Sequence, residues 1–229
     1  MSSLDTNSLL NLLQISDSAF PTGSFAHSGG LEAAYQRGFL TSSEKVHQFL
    51  LASLENAGAF SVPFMREAYR QWIDLEAIRS LDRLLNASLN NHVANRASKQ
   101  QGRSLIQTAC ATYKDPKLTE VQNWIYDGKL FGHQALMYGI VCAFLGVSED
   151  QAAISFLFSS LRTMVAAGVR LGAVGTLEGQ RMQFQLQLRI PEVVERHKER
   201  TSDSAANVFP LVDVMQSSHD QLFARMFYS

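Results

Sequence analysis

The chain has only two cysteines, Cys110 and Cys142, and five prolines in 229 residues, and neither sign of charge is in excess. Both cysteines sit in segments with the spacing of an apolar helix face, so they read as small hydrophobes and exclude a disulfide framework. Lys plus Arg number 20 against 21 Asp plus Glu, a net charge of -1, which supplies no global field to attract nucleic acid or an anionic membrane. Metal-ligand patterns are missing as well. His27, His47, His92, His133, His197 and His219 are scattered, with no C-x-x-C, no H-E-x-x-H and no histidine pair at helical spacing, so no metal site is expected. Neither G-x-x-x-x-G-K-[ST] nor a G-x-G-x-x-G after a strand occurs, so no nucleotide or nicotinamide cofactor is expected. Met1 to Leu13 lacks a basic region, and its short apolar run is broken by Asp5, Asn7 and Asn11. It reads as neither a leader nor a membrane anchor, and the expected location is the cytoplasm.

What is present suits a folded chain. Hydrophobic residues make up 46% and charged residues 18%, and 229 residues suffice for one large core. Apolar spacing and capping signals predict an all-α fold of eight to ten helices without a sheet, a single domain over residues 1–229. A helix is expected through Leu9 to Ile15, then a structured loop from Pro21 to Gly30. Thr41-Ser42-Ser43-Glu44 predicts a capping box for a helix with Val46, Phe49, Leu50 and Leu54 on one face. Pro63 opens the next helix, and Gly102 weakens a later one without breaking it. Two segments, His133 to Leu145 and Ile154 to Val169, are apolar nearly all round and should form the spine of the core, the second started by a Ser148/Gln151 capping box. Met182, Phe184, Leu186, Leu188 and Ile190 alternate with polar residues in the period of a strand. No partner strand is evident, and Gln, Leu, Met and Arg favour helices, so this segment is assigned to a helix. The charged stretch Glu192 to Arg200 reads as solvated, residues 198–208 as a mobile loop, and the apolar tail 209–229 as a segment that needs a docking surface.

Ala26-His27-Ser28-Gly29-Gly30 nearly spells the G-x-S-x-G elbow that presents a nucleophilic serine, with His27 or His133 as candidate bases. That elbow needs a strand to deliver the serine, whereas Gln14 to Ser24 is polar and contains Pro21. A rigid turn leading into a helix, with Glu32 in its first turn, is the better reading. A helical serine hydrolase using Ser28 and a purely structural helical adaptor are the alternatives to the assignment below.

Asp17 through Glu32, with its Pro21, Gly23, Phe25, Ser28, Gly30-Leu31-Glu32 order, resembles the N-terminal signature of the urease accessory protein UreF family. Later blocks resemble the family in the same order along the chain. These are Leu84-Leu85-Asn86-Ala87, Ser98 to Leu105, Gly132-His133 with Gly139, Val169-Arg170-Leu171-Gly172 through Gln180, and Pro210 to Ser229. His27 and Asn86-Ala87-Ser88 look closer to plant-like members than to many bacterial ones, and Met226 stands where a leucine is usual.

The resemblance implies an all-α, non-catalytic cytoplasmic protein that forms a homodimer. Its implied partners are UreD (UreH in some systems), the GTPase UreG and the urease apoprotein, and its implied role is in nickel delivery, with the metal held mainly by partners. No nucleic acid, membrane or resident cofactor belongs to that picture. Pro21, Gly23, Phe25, Ser28, Leu31 and Glu32 are implied to shape a partner-facing or dimer-supporting surface near the N-terminal loop. Arg170 and Gln180 match the central block, although a buried Arg–carboxylate pair explains Arg170 equally well. His219, Arg225 and Phe227 are implied to lie on a tail that orders on UreD.

Overall fold

The computed structural model describes residues 6–229; residues 1–5, on which part of the reading of Met1 to Leu13 rests, lie outside it. It is 72% helical, and no strand occurs among the described residues. Twelve α-helices follow in order, ten of them eight residues or longer. They are α1 (Thr6–Ser16), α2 (Leu31–Gln36), α3 (Ser43–Asn56), α4 (Val62–Arg70), α5 (Leu75–Ser88), α6 (His92–Tyr113), α7 (Pro116–Tyr126), α8 (Gln134–Phe144), α9 (Glu149–Arg170), α10 (Thr176–Gln187), α11 (Ile190–Arg196) and α12 (Pro210–Ser217).

The expected spine is there. Eight residues of α8, from Ala135 to Cys142, are buried, and α8 packs chiefly against α4 and α6 and also touches α9. Gly139 makes the first contact possible, since a Cβ there would lie 2.3 Å from the Met65 carbonyl oxygen of α4. The Ser148 hydroxyl and the Gln151 side chain close the capping box that starts α9. By length and composition α9 would pass for a membrane span, yet half of its apolar window is buried inside the fold.

Three local expectations change, and one holds. The cap of α3 is Ser42, one residue later than predicted, because its hydroxyl is the one that accepts the Lys45 N–H. The helix does not stop before Pro63: a π-helical turn, Ala57–Ser61, carries α3 into α4, and it absorbs the ring and missing N–H that a regular turn would not accommodate. Glu192 to Arg200 is not simply a solvated run. Its first part is α11, which buries Val193 and Val194, and His197 is buried just beyond it. The alternating segment is helical, as assigned: α10 buries Met182 and Leu186 and leaves Phe184 and Leu188 outside.

The segment expected to be mobile is hydrogen-bonded along its length. The Ser202 N–H and hydroxyl donate to the Glu67 carboxylate, the Ala206 N–H to the Ala59 carbonyl, and the Val208 N–H to Asn56 Oδ1.

Candidate functional site

The signature loop and the C-terminal tail, some 200 residues apart in sequence, fold onto each other. Gly29 and Gly30 have φ of +61° and +89°, values that need glycine, and they turn the loop into α2. Gly30 is also held close to α12, where a Cβ would come within 2.9 Å of the Gln216 nitrogen. α2 therefore starts beneath the tail, with Leu31 and Glu32 buried.

Glu32, only 1% exposed, is the centre of the junction. Its Oε1 accepts from Met226 N (2.7 Å) and Gln36 Nε2 (3.2 Å), and its Oε2 from His219 Nε2 (2.9 Å) and Phe227 N (3.2 Å). Four donors around one buried carboxylate are what burial of a charge requires. The last residue completes the seam: Ser229 O accepts from both Ser28 N (2.6 Å) and Ser28 Oγ (2.9 Å), and the Ser229 hydroxyl shares a 2.7 Å hydrogen bond with His27 Nδ1. Tyr228 N donates to the Ala26 carbonyl at 2.8 Å. Burial first, then the charges of Arg96 and His219, lower the His27 pKa to about 4, so the ring is neutral at pH 7.

Arg170 is exposed and not the buried partner of a carboxylate. Its guanidinium lies between the rings of Phe25 (4.0 Å) and Phe227 (4.4 Å) and donates to the Phe25 carbonyl at 2.7 Å. A flat, weakly hydrated cation suits that slot better than an ammonium would. Outside this clamp Phe25 and Tyr228 stay 63% and 67% exposed. Further along, Arg96 of α6 grips Asp220 with two bonds of 2.8 and 3.1 Å, and Arg225 adds a third at 3.3 Å. Arg96 first, and then His92 at 3.2 Å, hold the Asp220 carboxyl down at about 2 against the opposing effect of burial.

Phe25, Ser28, Leu31, Glu32, Arg170, His219 and Phe227 thus converge on one junction, with Arg225 at its edge. Pro21 and Gly23 lie at the other end of the loop, facing α6, where the Pro21 carbonyl accepts from Thr108 Oγ1. Gln180 stands on the exposed face of α10, and no hydrogen bond among the described residues joins it to the junction. Gln36, Ser229 and the Arg96–Asp220 pair belong to the junction without having been singled out. Only the Glu32/Gln36 pair, four residues apart, left a sequence signal, as helical neighbours.

The geometry does not make a hydrolase of Ser28. The residue is fully buried, its hydroxyl is spent on Ser229 O, and no strand delivers it. A second Ser–His pair has a structural role. Ser98 Oγ lies 3.0 Å from His133 Nδ1 and accepts from Gln134 N at the start of α8. Burial, then the charges of Lys99 and Arg103, lower the His133 pKa to about 3, which leaves it a poor base at neutral pH. The loop ahead of α8 is held by Asp82, fully buried, which accepts from the backbone N–H groups of Phe131, Gly132 and His133. Burial raises the Asp82 pKa against the pull of those three bonds. Among the described residues no group of three or more His, Cys, Asp or Glu is placed to hold a metal ion.

Comparison with known proteins gives a consistent result. The UreF family model matches residues 40–187. Urease accessory protein F of Arabidopsis thaliana is 34% identical over 94% of this chain and 90% of its own length. The Oryza sativa subsp. indica protein of the same name is 31% identical over 98% and 87%. Urease accessory protein UreF of Trichodesmium erythraeum is 30% identical over 97% of each chain.

Proposed function

The chain belongs to the UreF family, and from that premise we propose that it is a non-catalytic assembly factor for urease. In this reading it acts in the cytoplasm as a homodimer, binds UreD (UreH) and the GTPase UreG, and assists GTP-dependent delivery of nickel to the urease apoprotein. Nickel is the cargo of the assembly, and the chain contributes the surfaces.

The observation that carries the reading is the junction. Its buried base, Glu32 with its four donors, is built to fix backbone, while its outer side presents Phe25, Tyr228 and the stacked Arg170 to solvent. Exposed aromatic and arginine side chains on a rigid support are the groups that dominate binding energy at protein interfaces. The tail is already ordered against its own chain, so UreD meets a preformed surface and need not fold the tail.

Co-purification tests this. The protein should carry UreD and UreG with it, and a Phe25→Ala/Tyr228→Ala double variant with a native circular dichroism spectrum should lose UreD. A folded wild-type protein that retains neither partner refutes the reading.

A further inference from the structure

One face of α6 carries a row of cations. His92, Arg96, Lys99 and Arg103 follow at four-, three- and four-residue steps, the spacing of side chains that share a helix face. The first half of the row is occupied by a carboxylate of the chain itself, because Asp220 lies 3.2 Å from His92 Nε2 and takes two bonds from Arg96. In the second half no carboxylate among the described residues pairs with Lys99 or Arg103. Both flank one aromatic residue instead. Lys99 Nζ stands 5.6 Å from the centroid of the Phe131 ring, which is 37% exposed, and Arg103 Nε donates to the Phe131 carbonyl at 3.0 Å. Lys129 adds a positive charge two residues earlier, and its 3.0 Å contact with Asp127 is an exposed pair of little worth. The support beneath is rigid. Asp82 is buried under the loop and accepts the N–H groups of Phe131, Gly132 and His133, while Gly102 of α6 is pressed against the Gly132 carbonyl. A patch held in this way gives up little freedom on binding.

We propose that this patch receives an acidic segment of one of the proteins the chain assembles with, two of its carboxylates on Lys99 and Arg103 and their methylene stems across the Phe131 ring. The assignment rests on the assembly reading above and adds to it a second surface, next to the Arg96–Asp220 pair. Asp220 shows what the row takes, since a carboxylate already fills its first half. The spacing of the second half suits two more. Positions 99 and 103 are about 6 Å apart along α6, and the two glutamates of an extended Glu-x-Glu point the same way about 7 Å apart. Glutamate stems covering an aromatic ring keep their charged ends in water and beside the cations. Nucleic acid is the poorer occupant: Lys99, Arg103 and Lys129, on a chain of net charge -1, make a short patch and not the long basic track that follows a phosphate backbone.

Fluorescence anisotropy with the full-length chain tests the assignment. A labelled Glu-Ala-Glu-Ala-Glu peptide should bind wild type at low ionic strength and release as salt is added, whereas Gln-Ala-Gln-Ala-Gln should not bind. Lys99→Glu combined with Arg103→Glu should weaken the Glu peptide about tenfold or more with an unchanged circular dichroism spectrum, and Phe131→Ala should weaken it several-fold. Lys99→Gln combined with Arg103→Gln provides the same test should the double reversal misfold. No binding of the Glu peptide, or equal binding to wild type and the double variant, overturns the inference. A single-stranded oligonucleotide that binds wild type more tightly than the Glu peptide, and is lost in the double variant, assigns the patch to nucleic acid and likewise overturns it. Capture of UreD, UreG and apo-urease on the same samples separates this outcome from the assembly reading. At least one of the three should be held about tenfold more weakly by the double variant, and unchanged capture of all three overturns the inference while leaving the assembly role intact. A wild type that binds the Glu peptide as described but captures none of the three defeats the assembly role and leaves the carboxylate site standing.

Discussion

Replacing Glu32 by Gln tests the junction with almost no change of shape. The carboxylate accepts one tail amide on each oxygen, Met226 N on Oε1 and Phe227 N on Oε2. Whichever way the new amide is turned, its NH2 group faces one of those N–H groups, so one buried donor loses its acceptor and meets another donor. A hydrogen bond to a charged group contributes roughly 1.5–3 kcal/mol, and leaving a buried donor unpaired costs a further 1–3 kcal/mol. A net loss of about 3 kcal/mol follows for the docked tail, which raises the fraction of time it is undocked about a hundredfold. The penalty is local, because the rest of the core does not depend on Glu32. Hydrogen exchange resolved to single amides reads it directly: Met226, Phe227 and Tyr228 should lose about two decades of protection while α8 amides keep theirs. Protection of the tail within threefold of wild type would refute the role given to Glu32.

Three other outcomes follow from the same geometry. Arg170→Met keeps a long side chain but removes the stacked cation and the bond to the Phe25 carbonyl, and should loosen the tail by about 1–2 kcal/mol in the same exchange experiment. Gly102→Ala would place a Cβ 2.1 Å from the Gly132 carbonyl oxygen and 2.7 Å from Gln134 N, backbone that cannot swing aside as a side chain would, and should cost about 3 kcal/mol or more in urea unfolding. His27 and His133 titrate near 4 and 3 in the folded chain against 6.5 when unfolded, so below pH 6.5 the unfolded state takes up protons first. Stability is therefore complete above that pH and falls as the pH drops, by about 2 kcal/mol from each histidine at pH 5. Equal urea midpoints at pH 7 and pH 5 would contradict this.

Much of the fold could be read in the chain because its signals are local. The apolar periodicity that marked α8 and α9 and the Ser148 cap are set within a few turns. Two features were less transparent for local reasons: the π turn depends on how Pro63 is accommodated by the preceding helix, and Thr41, Ser42 and Ser43 all offer a capping hydroxyl. The alternation through Met182 to Ile190 imitates a strand because a helix with one face buried and large apolar residues left on the other can show the same pattern. Of the candidate site, the loop residues stand out by their glycines and by the resemblance they carry. Their pairing with the tail is absent from any local pattern, since Ser28 and Ser229 are joined only by the global path of the chain. Arg170 was ambiguous for the same reason: its partners, Phe25 and Phe227, come from both ends of the sequence.

The central claim is that this chain acts on urease maturation through its surfaces. Urease activity in a reconstituted set of apo-urease, UreD, UreG, nickel and GTP, with and without the chain, tests it most directly. The account predicts strong activation only when the chain is present, and its loss with the Phe25→Ala/Tyr228→Ala variant. Equal activation without the chain would contradict it.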